Sequence, residues 1–230
     1  MKFPNAPFQS VITEASQKLA SVWSQWFSQL EWIISTLVMS GKTSERPTTR
    51  LWEGQRYFDT TLGQLVFWTG SQWRSAAVGY YGAFFDTTNQ SASAINTATA
   101  VKCNTNNGHW GVSVKSTNKF TVDNPGTYNV QFSLQFTNPD TAEYEVDIWF
   151  RINGTDVDYS NSRFTVPKKH GGGDGHLIAA LNFIAEMKAN DYVQIMWSTP
   201  NISVTIETIA ASTSPVRPIT PSAIVTLQQV

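Results

Sequence analysis

Apolar and polar residues alternate most regularly between Lys119 and Phe136. Beyond the Pro125-Gly126 pair, amide and hydroxyl residues separate a series of apolar positions, namely Tyr128, Val130, Phe132, Leu134 and Phe136. A period of two over this length is typical of a strand with one buried and one solvent-facing side, and no helix fits it. Proline fixes φ ahead of a glycine that accepts positive φ, so the pair predicts a tight turn. The pattern therefore predicts two strands around that turn, the second of them long and central.

Shorter alternating runs fill most of the chain from Gly79 onwards. They predict strands at residues 80–86, 99–103, 112–115, 144–152, 155–159, 163–166, 177–187, 192–197, 202–207 and 223–227. Polar segments separate them, with a loop at 87–98, a turn at 104–111 around Asn107-Gly108, a glycine-rich loop at 167–175 and a proline-rich loop at 211–222. Short strands at this spacing predict an antiparallel sandwich filled with aromatic residues, which leaves one apolar flank exposed in a single copy.

A helical period governs residues 10–39, where apolar residues recur at spacings of three and four. The main stripe is Ile12, Ala15, Leu19, Val22, Trp26, Leu30, Ile33 and Leu37, and a second stripe is Trp23, Phe27, Ile34 and Val38. Ser10 or Thr13 would cap the start of this helix, and Gly41 suits its end. The remaining faces carry Ser, Gln and Thr with few charges, so the apolar side needs a partner.

Three partners for this helix are possible. Copies of the helix would pack as a short parallel bundle, because the spacing is that of a coiled-coil seam; the residues at the seam would be Leu19, Val22, Trp26, Leu30, Ile33 and Leu37. Alternatively, the helix docks into another component of a larger complex. A membrane span is disfavoured because Gln25, Gln29 and Glu31 interrupt the apolar window.

A polar linker, residues 40–49, leads into a small aromatic module at residues 50–77. We predict three very short strands there, at residues 56–59, 64–68 and 72–74. A module this small has almost no core, and we expect aromatic stacking to hold it together. The aromatic residues concerned are Tyr57, Phe58, Trp68 and Trp73.

Composition narrows the class of protein. Only 14% of the residues are charged, against about 25% in an average soluble protein, whereas 13% are aromatic. The formal net charge of −1 gives no electrostatic reason to expect nucleic acid or an anionic membrane as a partner. Cys103 is the single cysteine, so we expect a buried apolar residue and no intrachain disulfide. The first residues lack the pattern of a secretory signal, so we expect synthesis in a cytoplasm.

Candidate chemistry is sparse. His170, Asp174 and His176 have side chains that ligate metals, but the glycines between them would leave such a site poorly organised. Asp156 and Asp158 offer a weak calcium possibility. Neither a Ser–His–acid arrangement nor a pair of catalytic carboxylates stands out. We therefore predict no catalytic, cofactor or metal site, and a protein that is not an enzyme.

Two stretches resemble known families. The spacing Phe-x-Val-x-x-Pro-Gly-x-Tyr-x-Val from Phe120 to Val130 resembles the core signature of the complement-globular-head and tumour-necrosis-factor-like jelly rolls. The order of residues 149–155 and the glycine-rich loop that follows is similar too, whereas the loop at 211–222 is longer than that family's pattern. The resemblance implies a TNF-like jelly roll that forms trimers and binds other molecules without catalysis.

The second resemblance lies in the aromatic module. Its pattern Gly-x-x-Tyr-Phe-Asp-Thr-Thr-Leu-Gly-x-x-x-x-Trp-x-Gly-x-x-Trp, from Gly54 to Trp73, resembles a short hairpin of bacteriophage tail fibres and other virion appendages. In those proteins the hairpin links a shaft to a knob.

Together these observations predict a homotrimeric bacteriophage virion protein, made in the host cytoplasm. Residues 1–41 would bundle or dock to other virion proteins, residues 42–78 would form a neck, and residues 79–230 a jelly-roll knob. The expected function is host attachment as a tail fibre or spike, through a surface glycan or protein. One alternative is a capsid decoration or head-fibre protein anchored by its N-terminal segment. A second is a lectin-like bacterial binding module, which the lack of a signal pattern disfavours.

Overall fold

The computed structural model describes residues 6–7, 20–37, 39–76 and 79–230, and it describes residues 35–37 by their backbone only. The chain divides into two compact units, residues 1–78 and residues 79–230. Strands dominate the described residues, which contain a single α-helix, so the fold is mainly β. No helix in this described part is long and apolar enough to cross a bilayer.

The helix α1 spans Ser21–Leu37 in the first unit. The carbonyl of Ala20 opens it by accepting hydrogen bonds from the backbone N–H groups of Trp23 and Ser24, at 2.9 and 3.0 Å. The predicted start at residue 10 and its two candidate caps lie outside the described residues. The predicted end at residues 39–41 is wrong, because Met39–Gly41 form the strand β1. Pairing with a neighbouring strand satisfies the backbone of these residues in place of helical hydrogen bonds.

The sheet of the first unit has the order β1-β2-β3-β4. Its remaining strands are β2 (Arg56–Asp59), β3 (Gln64–Trp68) and β4 (Trp73–Ser75). β1 runs parallel to β2, and the other neighbours are antiparallel. The three predicted strands of the aromatic module are confirmed, the last with a shift of one residue. The predicted linker is partly structured, since it contains the end of β1 and a 3-10 turn at Thr43–Glu45.

Two antiparallel seven-stranded sheets make up the second unit. One, called the β11 sheet here, contains β5 (Tyr81–Asp86), β6 (Gln90–Ser91), β8 (Thr105–Trp110), β11 (Gly126–Asn138), β15 (Gly175–Met187), β17 (Thr205–Ile206) and β20 (Ala223–Gln229). The other, the β16 sheet, contains β7 (Thr99–Ala100), β9 (Val112–Lys115), β10 (Lys119–Val122), β12 (Tyr144–Ile152), β13 (Thr155–Asp156), β14 (Ser162–Val166) and β16 (Tyr192–Ser198). A small hairpin, β18 (Ser212–Thr213) and β19 (Val216–Arg217), lies outside both sheets.

Strand order follows from the pairing. Across the β11 sheet the main strands run β15-β11-β20-β5-β8, and the short strands β17 and β6 continue beyond the end of β20. Across the β16 sheet they run β14-β12-β16-β10-β9, with β13 and β7 as short additions. The edge strands β15 and β14 therefore share one side of the sandwich, and β8 and β9 share the other.

The core lies between the two sheets. All five predicted inward residues of the central strand β11 are buried, which confirms the alternation from which they were identified. Aromatic pairs join the sheets, with ring centroids 5.8 Å apart for Phe132 and Phe150 and 5.5 Å apart for Phe136 and Trp197. Residue-by-residue interlocking of this kind is what fixes the register of each strand, because a slip of one residue would expose the whole buried set.

The largest error of the sequence prediction is the turn at residues 104–111. The chain there forms β8, which pairs with β5 through a bulge, so that Ala83 lies opposite Gly108 and Phe84 lies opposite Asn106. Asn107 is the extra residue, and Gly108 adopts φ = 136°, which glycine tolerates. The free edge of β5 offered backbone partners, and this tertiary pairing overrode the local turn preference.

Smaller corrections concern strand ends. The predicted strands at 99–103, 155–159 and 202–207 each keep only two residues, and Gly175 belongs to β15 and not to the preceding loop. The predicted loop at 87–98 contains β6, and the loop at 211–222 contains the β18–β19 hairpin.

Several of the longer connections between strands lie at the same end of the second unit, which we call the loop end. The segments after β5, β11, β14 and β16, and the segment before β20, all emerge there. Two contacts illustrate it: the backbone N–H of Lys169 donates to the carbonyl of Asp140 at 2.9 Å, and Nδ2 of Asn201 donates to Oδ2 of Asp140 at 3.1 Å. The beginning and the end of the second unit meet at its opposite end, where the backbone N–H of Gln229 donates to the carbonyl of Tyr80 at 2.8 Å.

Candidate interaction surfaces

The predicted seam of the helix is only partly covered within one chain. Ile33 is buried and Trp26 and Leu30 are half-buried, but Val22 is exposed. Leu19 lies outside the described residues, and Leu37 ends α1 with its side chain undescribed. The second stripe is more accessible, since its members Phe27 and Ile34 are exposed. Trp32, which belongs to neither stripe, is exposed as well. α1 therefore presents apolar surface that a partner helix or protein would cover.

Three of the four predicted aromatic residues of the module pack together, through tilted and edge-to-face ring contacts. The ring of Trp73 lies 5.9 Å from that of Tyr57 and 5.7 Å from that of Trp68, measured between centroids. The Tyr57 hydroxyl donates to the carbonyl of Lys42 at 3.1 Å, and burial is the main reason that the pKa of this phenol is raised. Phe58 points the other way and is exposed, so it does not belong to this aromatic cluster.

One buried carboxylate anchors the module, and no sequence pattern indicated it. Asp59 accepts hydrogen bonds from Nε of Arg46 at 2.7 Å, the Thr43 hydroxyl at 2.8 Å and the backbone N–H of Leu62 at 2.9 Å. Burial raises the pKa of Asp59, but these donors together outweigh burial, and the net pKa lies below its ordinary value. The contacts join the segment after β1 to the β2–β3 turn.

The candidate metal ligands do not form a site. Nδ1 of His176 lies 2.8 Å from Oε1 of Glu207, whereas His170 is an exposed loop residue whose backbone pairs with Gly173. Oδ1 of Asp156 accepts a hydrogen bond from Nε of Arg151 at 2.6 Å. Among the described residues, no group of three or more His, Cys, Asp and Glu side chains is arranged to hold a metal ion.

Cys103 is a buried residue, as predicted. Burial, with a smaller contribution from Asp86, raises the pKa of its thiol to about 12. The thiol therefore stays protonated near neutral pH, and it is not an activated nucleophile.

The outward side of the β11 sheet is free of charge over three rows of residues that pair across the strands. The rows are Phe85–Ile224–Ser133–Ala180, Ala83–Thr226–Gln131–Asn182 and Tyr81–Gln228–Asn129–Ile184. We call this surface the neutral face. Ile184 and Ile224 are exposed by 60% and 43%, and Ile178, one pair further along β15, by 60%. Oδ1 of Asn129 is buried there without a hydrogen-bond partner among the described residues.

A second apolar surface follows the side of the sandwich formed by β14 and β15. Its half-exposed members are Tyr144, Phe164, Leu177, Leu181 and Phe183. We call it the β14–β15 flank. Within the described residues β15 pairs with β11 alone, so the other edge of this long strand is open. The alternating sequence pattern predicted an apolar flank, but only the strand order shows which strands form it.

Comparison of the chain with protein-family models and with curated proteins finds no match. The functional conclusion therefore depends on the geometry of these surfaces.

Proposed function

We propose that this protein is a homotrimeric structural component of a bacteriophage virion, whose second unit is a TNF-like jelly-roll knob that attaches the particle to its host. The observation that carries the proposal is the juxtaposition of an uncharged sheet face with an open apolar flank in the same unit. Neither surface suits a monomer in water, because exposed apolar patches and open strand edges favour association.

The strand order supports a jelly roll. Counting the eight principal strands along the chain, the first lies beside the eighth, the second beside the seventh, the third beside the sixth and the fourth beside the fifth. These are the pairings of one long antiparallel ribbon rolled into a two-sheet sandwich. The strands in that count are β5, β10, β11, β12, β14, β15, β16 and β20.

The two surfaces are different, so a contact between them is of the head-to-tail kind. When the rotation between copies closes, such a contact builds a ring, and three copies give cyclic symmetry. In our proposal the β14–β15 flank of each copy packs on the neutral face of the next. Depletion of charge and enrichment of aromatic residues are the composition of a protein interface core.

The first unit supports anchoring. Three copies of α1 would bury the apolar surface that one chain leaves accessible, in a parallel bundle through Val22, Trp26 and Leu30. The aromatic module then forms the neck, as in the fibre hairpins that it resembles. The exposed Phe27 and Trp32 equally suit contact with a shell protein, so a head fibre or capsid decoration is the second candidate.

Host attachment is proposed for the loop end of the knob, because the chain enters the second unit at the opposite end. A trimer presents three copies of this end to one surface. Simultaneous contacts raise apparent affinity by about 10²–10⁴-fold when the geometry allows all of them to form.

Two measurements test the proposal. Sedimentation equilibrium and native mass spectrometry of the full chain and of residues 79–230 should give a trimer for both, and a stable monomer of the knob would refute the assembly. Immunogold electron microscopy of the particle should then place the chain on a tail appendage. Labelling over the shell would favour the head fibre instead, and absence from particles would favour a lectin-like bacterial module.

A further inference from the structure

An open cavity of about 400 Å³ lies at the β8–β9 side of the second unit, on the side of the sandwich opposite to the β14–β15 flank. Its volume falls in the range of small-ligand sites, about 300–1,000 Å³. A ligand bound there would not cover the β14–β15 flank, which would remain available for packing between copies.

The cavity has an apolar floor and a polar rim. Phe84, Cys103 and Val114 line the floor, and the rim includes Asn106 and His109. The rings of Phe84 and His109 lie 6.4 Å apart between centroids and are inclined by only 26°. Phe84 is only 2% exposed, so of these two rings a ligand can contact that of His109, which is exposed. No Asp, Glu, Lys or Arg side chain lines the cavity.

The β8 bulge places one polar group in this cavity. Because Asn107 is the extra residue of the bulge, Asn106 lines this cavity while Asn107 lines a separate one on the side of the neutral face. Bulges commonly re-aim side chains next to functional sites. The two neighbouring asparagines thus provide a matched pair, one inside the cavity and one outside it.

The opposite rim is a strained turn. Ser116 and Thr117, between β9 and β10, both adopt left-handed backbone angles, with φ of 52° and 63°. A β-branched residue rarely takes this conformation, and such strain clusters at ligand sites. The carbonyl of Thr117 accepts the backbone N–H of Cys103 at 2.8 Å, which fixes the turn against the cavity floor.

Polar groups on the rim are available to a ligand. Within the described residues, the side chains of Asn106, His109 and Ser113 have no hydrogen-bond partner in the protein. A sugar ring has an apolar C–H face, which suits aromatic rings, and an edge of hydroxyl groups, which suits amide and imidazole groups. Arg and Lys are the side chains that best match an anionic ligand, and the lining contains neither.

From this lining we propose that the cavity binds one neutral sugar residue of a surface glycan, with its C–H face against the exposed His109 and the half-buried Val114 and its hydroxyl groups toward Asn106 and Ser113. The inference deepens the proposed host attachment and rests on it for its biological meaning. Binding itself is a property of one copy, so it is tested separately from assembly.

The test is saturation-transfer NMR on the full chain with a panel of neutral hexoses and N-acetylhexosamines, with sialic acid and a neutral peptide as comparison ligands, followed by titration of the strongest binder. Asn106→Ala and His109→Ala should each weaken binding by about tenfold, the contribution of one ligand contact. Asn107→Ala is the matched control and should leave affinity within about twofold. Far-ultraviolet circular dichroism and sedimentation verify that each variant keeps its fold and assembly.

Three outcomes would overturn the inference: no transfer to any neutral sugar, equal losses in Asn106→Ala and Asn107→Ala, or preferential binding of sialic acid or of a neutral peptide. A trimeric knob that binds no sugar would leave the proposed assembly intact. A monomeric chain whose sugar binding requires Asn106 would support the cavity and refute the assembly.

Discussion

Replacing Ile184 with Asp should break the proposed contact between copies. The side chain is 60% exposed in one chain, at the end of a neutral-face row. Fully burying an Ile side chain stabilises by about 1.5–3 kcal/mol, so covering the exposed part contributes about 1–2 kcal/mol for each copy. Three equivalent sites give about 3–5 kcal/mol per trimer, before the cost of burying a carboxylate is added. The association constant should fall by at least about 10²-fold.

Sedimentation velocity of residues 79–230 over a range of concentrations measures this change. Ile202→Asp is the matched control, because Ile202 is 57% exposed but lies in the loop between β16 and β17, away from the neutral face. It should change the association constant by less than about threefold. Equal effects of the two substitutions, or an unaltered trimer in Ile184→Asp, would refute the assignment of this face to the interface.

Three further predictions concern stability and reactivity. Phe136→Ala removes a buried ring that contacts Trp197, so it should lower the unfolding free energy of residues 79–230 by about 3–5 kcal/mol in urea titrations. The control Ile95→Ala alters an exposed side chain and should change that free energy by less than about 0.5 kcal/mol. Similar values for both variants would contradict the placement of Phe136 in the core. Asp59→Asn should lower the melting temperature of the first unit near neutral pH, followed by tryptophan fluorescence. Because the pKa of folded Asp59 lies below its ordinary 3.8, its stabilisation is present above that pH and is lost as the pH falls through the folded pKa. The difference from wild type should therefore shrink in acid, and a difference that persists there would argue against an ionised Asp59. Finally, burial raises the pKa of Cys103 to about 12, so the thiol should resist iodoacetamide in the native protein at mildly alkaline pH and react after unfolding in urea; rapid native labelling would show that the site opens.

Local pattern predicted the long strands well. The alternation along β11 identified its buried side chains because a half-buried strand has to place every second residue in the core. The same reasoning located β12 and β16 and the three strands of the aromatic module. In each case the signal comes from residues close in the chain, which is where periodicity is informative.

Pattern failed where a distant strand decided the local structure. Asn107-Gly108 has the composition of a hairpin turn, but the open edge of β5 drew this segment into a bulged strand. Met39 lies at the end of the apolar helical pattern, and yet Met39–Gly41 form a strand that pairs with β2. Propensity is a weak prior in both segments, because backbone partners supplied from elsewhere in the fold outweigh it.

The sequence by itself determined that the second unit is an antiparallel sandwich with an aromatic core, because the period of its apolar residues is written into neighbouring positions. It could not determine which strands lie side by side. The tertiary structure alone brought Ile184 into one row with Asn129 and Tyr81, although these residues are far apart in the chain. The neutral face, the open edge of β15 and the cavity beside Asn106 exist only through that pairing, since each is formed by strands whose association depends on contacts between distant residues.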